Sequence, residues 1–199
     1  MIVKTSLVKN CHMDRLATKQ RILDLINQLG EKKCKVYLIH GDMTDPEMHA
    51  LYKHKNVNAF VSLAHGEGFG LTIFEAAYSG LPVVATGWSG QLDFLIDESG
   101  KDKFYNVSFD LGQVQKGAVW EGIITEDSMW AYPRDHSARA QMRKVYEDCQ
   151  NSKAITVDGI CERFDSEKMH ARFVEIFNGP TQDIDDWLEE LSNELVVND

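Results

Sequence analysis

The sequence is short of most features that mark specialised protein classes. Its four cysteines, Cys11, Cys34, Cys149 and Cys161, form no CxxC pair and share no spacing. That pattern excludes a disulfide scaffold and a thiolate zinc site, and it points to reduced thiols in a reducing compartment. No apolar run is long enough to span a bilayer, and the opening Met1-Ile2-Val3-Lys4-Thr5 is too short in its apolar part for a secretory leader. The Asn106-Val107-Ser108 sequon matters only in a secretory lumen, which is not the expected compartment. Basic charge is scarce as well: 21 Lys and Arg stand against 31 Asp and Glu, a formal net charge of -10. Residues 181–199 hold seven acids and no base, which leaves the remainder at -3. A nearly neutral body with an acidic tail lacks the basic footprint of phosphate-backbone binding, so nucleic acid is not an expected partner.

What is present is an ordinary globular composition, 43% hydrophobic in 199 residues, enough for one domain with a substantial core and cramped for two. Strand-like and helix-like patterns alternate along it. Residues 2–8 read as a strand, after which Leu16, Ile22, Leu23, Ile26 and Leu29 recur at helical spacing until Gly30. Val36–Ile39 is a short apolar strand ending at His40-Gly41-Asp42. Asp45-Pro46 then offers a cap and a first-turn proline for a helix through Met48, Leu51 and Tyr52. Residues 57–64 are nearly all apolar, as a central parallel strand covered on both faces should be. Residues 69–79 read as helix, Gly80 stops them, and Val83–Thr86 is another buried strand. This alternation predicts an α/β fold, a Rossmann-like doubly wound parallel sheet that binds ligands beyond the carboxyl ends of its strands. Residues 91–96 read as a short helix, 97–130 give no assignable pattern, and 137–149 and 166–177 read as surface helices. Ile184, Trp187, Leu188, Leu191 and Leu195 form an apolar stripe on an acidic terminal helix over 181–199, expected to dock on its own domain.

The run HGEGFGLTIFEAAYSGLPVVAT, His65 to Thr86, begins at one of these strand ends. Gly66, Gly68 and Gly70 allow close approach of the backbone to a ligand. The amides of Phe69, Gly70, Leu71 and Thr72 are donors at the positive end of a helix, which suits a diphosphate. Glu67 and Glu75 would repel phosphates unless they face neutral hydroxyls, so their natural partners are sugars, a ribose for Glu75 and a transferred sugar for Glu67. The residues suggest a nucleotide-sugar. Rival signatures fail. A dinucleotide fingerprint needs glycine where Leu71 stands and an acid at the end of the next strand, which closes Ala85-Thr86-Gly87. Gly100-Lys101-Asp102-Lys103 lacks both parts of a P-loop, and His65-x-Glu67 lacks the Pro-Cys-x-x-Cys of a zinc deaminase. Thr72-x-x-Glu75 also has the form of a capping box, which requires a helix beginning after Thr72. His65, at a strand end, suits a loop-anchoring hydrogen bonder better than a catalyst.

With Glu67 and Glu75 separated by seven residues and followed by Gly80-Leu81-Pro82-Val83-Val84-Ala85, the stretch resembles the C-terminal donor-binding domain of retaining GT-B glycosyltransferases, especially family 4, the group 1 type. The resemblance covers about residues 1–177 and is strongest over 57–95. Trp130-Ala131-Tyr132-Pro133 and Met142-Arg143 look like further elements of that family. It implies half of a GT-B architecture over residues 1–180 and retaining, metal-independent transfer from a nucleoside-diphosphate sugar, with no cofactor. It also implies that Glu75 holds both ribose hydroxyls and that the amides from Phe69 to Thr72 hold the diphosphate. Glu67 contacts the donor sugar, a role debated in the family between nucleophile and positioning residue; positioning is the role taken here. The expected location is the cytoplasm, the cytoplasmic face of a membrane included. Two other readings use the same site, a noncatalytic nucleotide-sugar binding or assembly module and a GT-B-like epimerase.

Ile2-Val3-Lys4-Thr5-Ser6 matches the second strand of the family's domain, so the usual first strand and helix, and the Arg and Lys that neutralise the leaving diphosphate, have no counterpart. The expectation is that helix amides hold the diphosphate and that an acceptor-binding domain or partner chain is supplied elsewhere. In a 3-2-1-4-5-6 sheet the missing strand is central, and a partner chain, an upstream segment or a strand from beyond Gly100 could fill its place.

Overall fold

A computed structural model describes residues 1–7, 10–31 and 34–178. The expected terminal helix over 181–199 lies outside the described residues. The chain divides into two compact units, Met1–Lys55 and the part from Asn56 onward.

In the first unit, β1 (Ile2–Lys4) leads into α1 (His12–Gln28), and β2 (Tyr37–Ile39) pairs with β1 in parallel, Val3 opposite Leu38. α1 begins where the Cys11 sulfur accepts the Asp14 amide at 3.5 Å. Its apolar residues are not what it buries. Asp14 and Thr18 are the buried positions and Ile22 and Ile26 are half-buried, a stripe at i, i+4 spacing. Leu16, Leu23 and Leu29, which recur at helical spacing with them, are exposed. α2 (Asp45–Tyr52) follows, with Thr44 rather than Asp45 as its cap residue. The Thr44 amide donates to the Glu47 carboxylate at 2.8 Å, the backward half of a capping box.

In the second unit, β3 (Phe60–Ser62) is followed by α3 (Leu71–Tyr78), β4 (Val83–Thr86), α4 (Leu92–Leu95) and β5 (Tyr105–Val107). The three strands form a parallel sheet in the order β3-β4-β5, with Val61 opposite Val84 and Ala85 opposite Asn106. All four residues of β4 are buried, as the continuous run Val83-Val84-Ala85-Thr86 requires of a strand covered on both faces. One layer of core holds Ile73, Ala77, Val83, Ala85, Phe94, Leu95, Phe104 and Ile160. On the sheet's other face, Val84, Tyr105 and Val107 pack with Ala138 and Val145 of α5 (Asp135–Gln150).

The stretch over 97–130 that sequence left unassigned contributes β5 and then β6 (Phe109–Gln113), which pairs antiparallel with β7 (Met129–Pro133) around a 3-10 turn at Lys116–Ala118. β5 lies on the far side of β4 from β3, so it does not supply a strand beside β3. Among the described residues, β1 pairs with β2 alone and β3 with β4 alone. Helices α6 (Ile160–Arg163) and α7 (Ser166–Asn178) close the described chain.

Candidate functional site

The parallel register of β3 and β4 brings the loops that leave their carboxyl ends side by side, and these two loops build the site. The first runs from Leu63 through the glycine run into α3. Gly70 is the residue before the helix and sits at φ 87, in the left-handed region that a side chain rarely adopts. A Cβ there would also come within 3.3 Å of Gln91 and of the fully buried Ile73. Gly66 and Gly68 adopt ordinary backbone angles, and Gly68 has open space around it. The left-handed turn stops the backbone abruptly and starts α3 at Leu71, so the N–H groups of Gly70, Leu71, Thr72 and Ile73 have no acceptor within the helix. Their partial positive charge faces out of the strand end.

Phe69 fixes this turn from below. Its ring packs against Phe74 at 5.2 Å, Phe94 at 5.1 Å and Phe164 at 6.2 Å, so the side chain is an anchor in the core while the backbone carries the donor group. In α3, Ile73, Ala76 and Ala77 face the core and Leu71, Thr72, Glu75 and Tyr78 are exposed, which puts Glu75 on the outer face one turn beyond the helix start. The capping-box reading of Thr72 and Glu75 fails, because Thr72 is already inside the helix and its start has no side-chain cap.

Glu67, half-buried, is held by the second loop, Gly87–Gln91. The Ser89 hydroxyl donates to the Glu67 carbonyl at 2.7 Å and accepts the Glu67 amide at 3.2 Å, while the Gly90 amide donates to the same carbonyl at 3.1 Å. The approach is so close that a Cβ at Gly90 would stand 1.9 Å from the Gly68 carbonyl oxygen. Ser89 itself has φ 79, a conformation costing about 1–3 kcal/mol outside glycine, which two or three hydrogen bonds at about 1 kcal/mol each can offset. Gln91 is buried and its amide donates to the Thr86 carbonyl at 3.0 Å, bracing the loop where it leaves β4. Sequence reasoning missed Ser89, Gly90 and Gln91. The available signal was the Gly87-Trp88-Ser89-Gly90 run directly after a buried parallel strand, since loops at neighbouring strand ends must meet.

His65 anchors the β6-β7 hairpin to the first loop. Its Nδ1 donates to the Ala131 carbonyl at 2.8 Å, and the Ala131 amide donates to the His65 carbonyl at 3.1 Å. The imidazole stacks on Trp130, centroids 5.0 Å apart at 9°, and meets Tyr132 at 4.7 Å. The anchoring role expected of a strand-end histidine is the one it performs, and Trp130-Ala131-Tyr132-Pro133 is the strand that receives it.

Elsewhere in this unit, a cavity of about 590 Å³ is lined by Asp97, Lys103, Asp158 and Arg163 among others, and contains no predicted site residue. There Lys103 bridges Asp97 at 3.4 Å and Asp158 at 4.0 Å. The Ser99 hydroxyl and the Lys101 amide hold the Asp97 carboxyl down at about 2. Among the described residues no group of three His, Cys, Asp or Glu is arranged to hold a metal ion, and no helix is long and apolar enough to cross a membrane.

A parallel α/β sheet with a glycine-started helix at a strand's carboxyl end is a Rossmann-like architecture, consistent with half of a GT-B fold. Comparison with known proteins shows what the chain is similar to. Residues 16–104, which include the Glu67 loop, α3 and the Ser89 loop, match the model of the glycosyl transferases group 1 family, a match over less than half of the chain. The chain is also 28% identical over 142 residues to a sucrose synthase of Melioribacter roseus, an alignment covering 68% of this chain and 16% of that relative's length.

Proposed function

We propose that this chain is the donor-binding part of a retaining, metal-independent glycosyltransferase that takes a sugar from a nucleoside-diphosphate sugar, with an acceptor-binding domain supplied by another segment or a partner chain. One observation carries the reading: the left-handed turn at Gly70 aims free helix-start amides outward beside a glutamate whose backbone is held at three points. Those amides meet the diphosphate and take up its growing charge as the glycosidic oxygen leaves. Glu75 accepts hydrogen bonds from the ribose hydroxyls. Glu67 contacts the donor sugar and orients its anomeric carbon for attack from the face the leaving group vacates, which preserves configuration. No metal is assigned a role, and the cytoplasm is the compartment that fits the reduced thiols. The group 1 family match supports glycosyl transfer as the reaction class.

The test is calorimetry and thermal shift on the chain with paired nucleoside diphosphates and their sugar conjugates. A ligand that binds the native state alone raises the melting temperature. Glu75→Gln is expected to weaken both members of a pair by about 1.5–3 kcal/mol, the value of a charged hydrogen bond. Glu67→Gln is expected to weaken the sugar conjugate alone. Equal losses for both ligands on changing Glu67 would remove its sugar-contact role. Tight donor binding with no transfer, whatever acceptor domain is added, would favour a binding module.

A further inference from the structure

Ser89 combines three properties that a connecting loop does not need. It is a non-glycine residue in the left-handed region, at φ 79. Its single hydroxyl serves both the N–H and the C=O of one residue, Glu67, at 3.2 and 2.7 Å. Its neighbour Gly90 donates to that same carbonyl at 3.1 Å from a position where a Cβ would stand 1.9 Å from the Gly68 oxygen. The loop is rooted as well as clamped: the amides of Leu92 and Asp93 donate to the carbonyls of Ser89 and Gly90 at 3.1 and 3.2 Å, leading directly into α4, where Phe94 and Leu95 are fully buried. Glycine at position 89 would relieve the backbone but delete the hydroxyl, so the strain is tolerated for the sake of the bond to Glu67.

From this geometry we propose that Ser89 is a positioning residue for Glu67: by gripping both polar groups of the Glu67 backbone from the core-rooted α4, it sets the direction of the Glu67 carboxylate toward the donor sugar. This rests on the reading of Glu67 as the sugar contact. The chain itself makes no covalent change in this role. It holds one carboxylate still.

The test uses the full chain with Ser89→Gly and Ser89→Ala, and three probe pairs, UDP with UDP-glucose, GDP with GDP-mannose and ADP with ADP-glucose. For the pair that binds, the ratio of sugar-conjugate to diphosphate affinity should fall about tenfold in both variants, the value of one charge-linked hydrogen bond, while diphosphate affinity stays level. Ser89→Gly should melt no lower than the wild type, which a merely structural role would not allow. A ligand-free arm follows amide exchange: the Glu67 N–H should exchange about tenfold faster in Ser89→Gly with the Val84 amide unchanged. An unchanged affinity ratio in Ser89→Gly, or a Glu67 amide indifferent to the substitution, overturns the proposal. If Glu67→Gln lowers the ratio and Ser89→Gly does not, the positioning role alone is lost. If neither does, or no pair binds the wild type, the functional reading falls with it.

Discussion

The two units of this chain differ in what their first helices and sheets bury. From Asn56 onward burial is mostly apolar, with Ser79, Thr86 and Gln91 buried beside the core: β4 is fully enclosed, and Ile73, Phe94, Leu95 and Val107 are each 0% exposed. In residues 1–55 the fully buried side chains of α1 are polar, Asp14 and Thr18, while Met13, Leu16, Leu25 and Leu29 stand in solvent. The interior contact there is a polar pair. The His40 Nε2 and an Asp14 carboxylate oxygen lie 3.0 Å apart with both side chains 4% exposed, and Asp14 also accepts the Leu7 amide at 3.3 Å. A three-stranded sheet covered on both faces can exclude water from whole side chains. A two-stranded one covers a single stripe of its helix, and the residues at that stripe decide what holds it. The difference teaches where each unit is vulnerable, to cavities in one and to lost polar partners in the other.

The largest effect should follow Phe94→Ala, which empties the centre of the aromatic cluster around Phe69 and Phe74 and is expected to cost about 3–5 kcal/mol in urea unfolding. Leu25→Ala, at a position 56% exposed, should cost under about 0.5 kcal/mol, and a loss as large as that of Phe94 would mean that the α1 leucines are covered in solution. Next comes Asp14→Ala, which strips His40 of its buried partner and should cost about 1–3 kcal/mol, read as faster amide exchange in β1, α1 and β2. Gly90→Ala should follow at about 1–3 kcal/mol, because the new methyl meets the backbone carbonyl of Gly68 and one loop must retreat; donor binding should fail with it. A Gly90→Ala chain that binds donor normally would show that the loops need not touch.

The smallest effect is one of pH. Tyr105, 2% exposed, donates to Asp148 at 2.8 Å and accepts the Ile155 amide at 3.2 Å. Burial pushes its phenol up to about 12, with Asp148 adding to the rise and the Ile155 amide opposing it. An unfolded tyrosine titrates near 10, so between about 10 and 12 the folded state holds the proton more tightly and stability falls as pH rises. Tyr105→Phe should flatten that alkaline decline while lowering stability at neutral pH through the lost hydrogen bonds. Parallel curves for the two proteins above pH 10 would remove the linkage.

Sequence alone determined the elements whose cause is local. Val83-Val84-Ala85-Thr86 could only be an enclosed strand, Gly80 stops α3, and the glycine run with Glu67 and Glu75 marks the candidate site, because period, chain stiffness and backbone freedom are written in neighbouring residues. Tertiary structure decided what depends on residues far apart. It placed β5 beside β4 and made a hairpin of β6 and β7, whose pairing partners lie some twenty residues apart in a stretch with no local period. It buried Asp14 rather than Leu16, since which face of a helix is covered depends on the sheet it meets. It also brought Ser89 and Gly90, more than twenty positions away, onto the backbone of Glu67. A hydrogen bond between loops at adjacent strand ends leaves no periodic trace in either loop, so the residue proposed to meet the sugar could be picked from the sequence and the residues that hold its backbone could not.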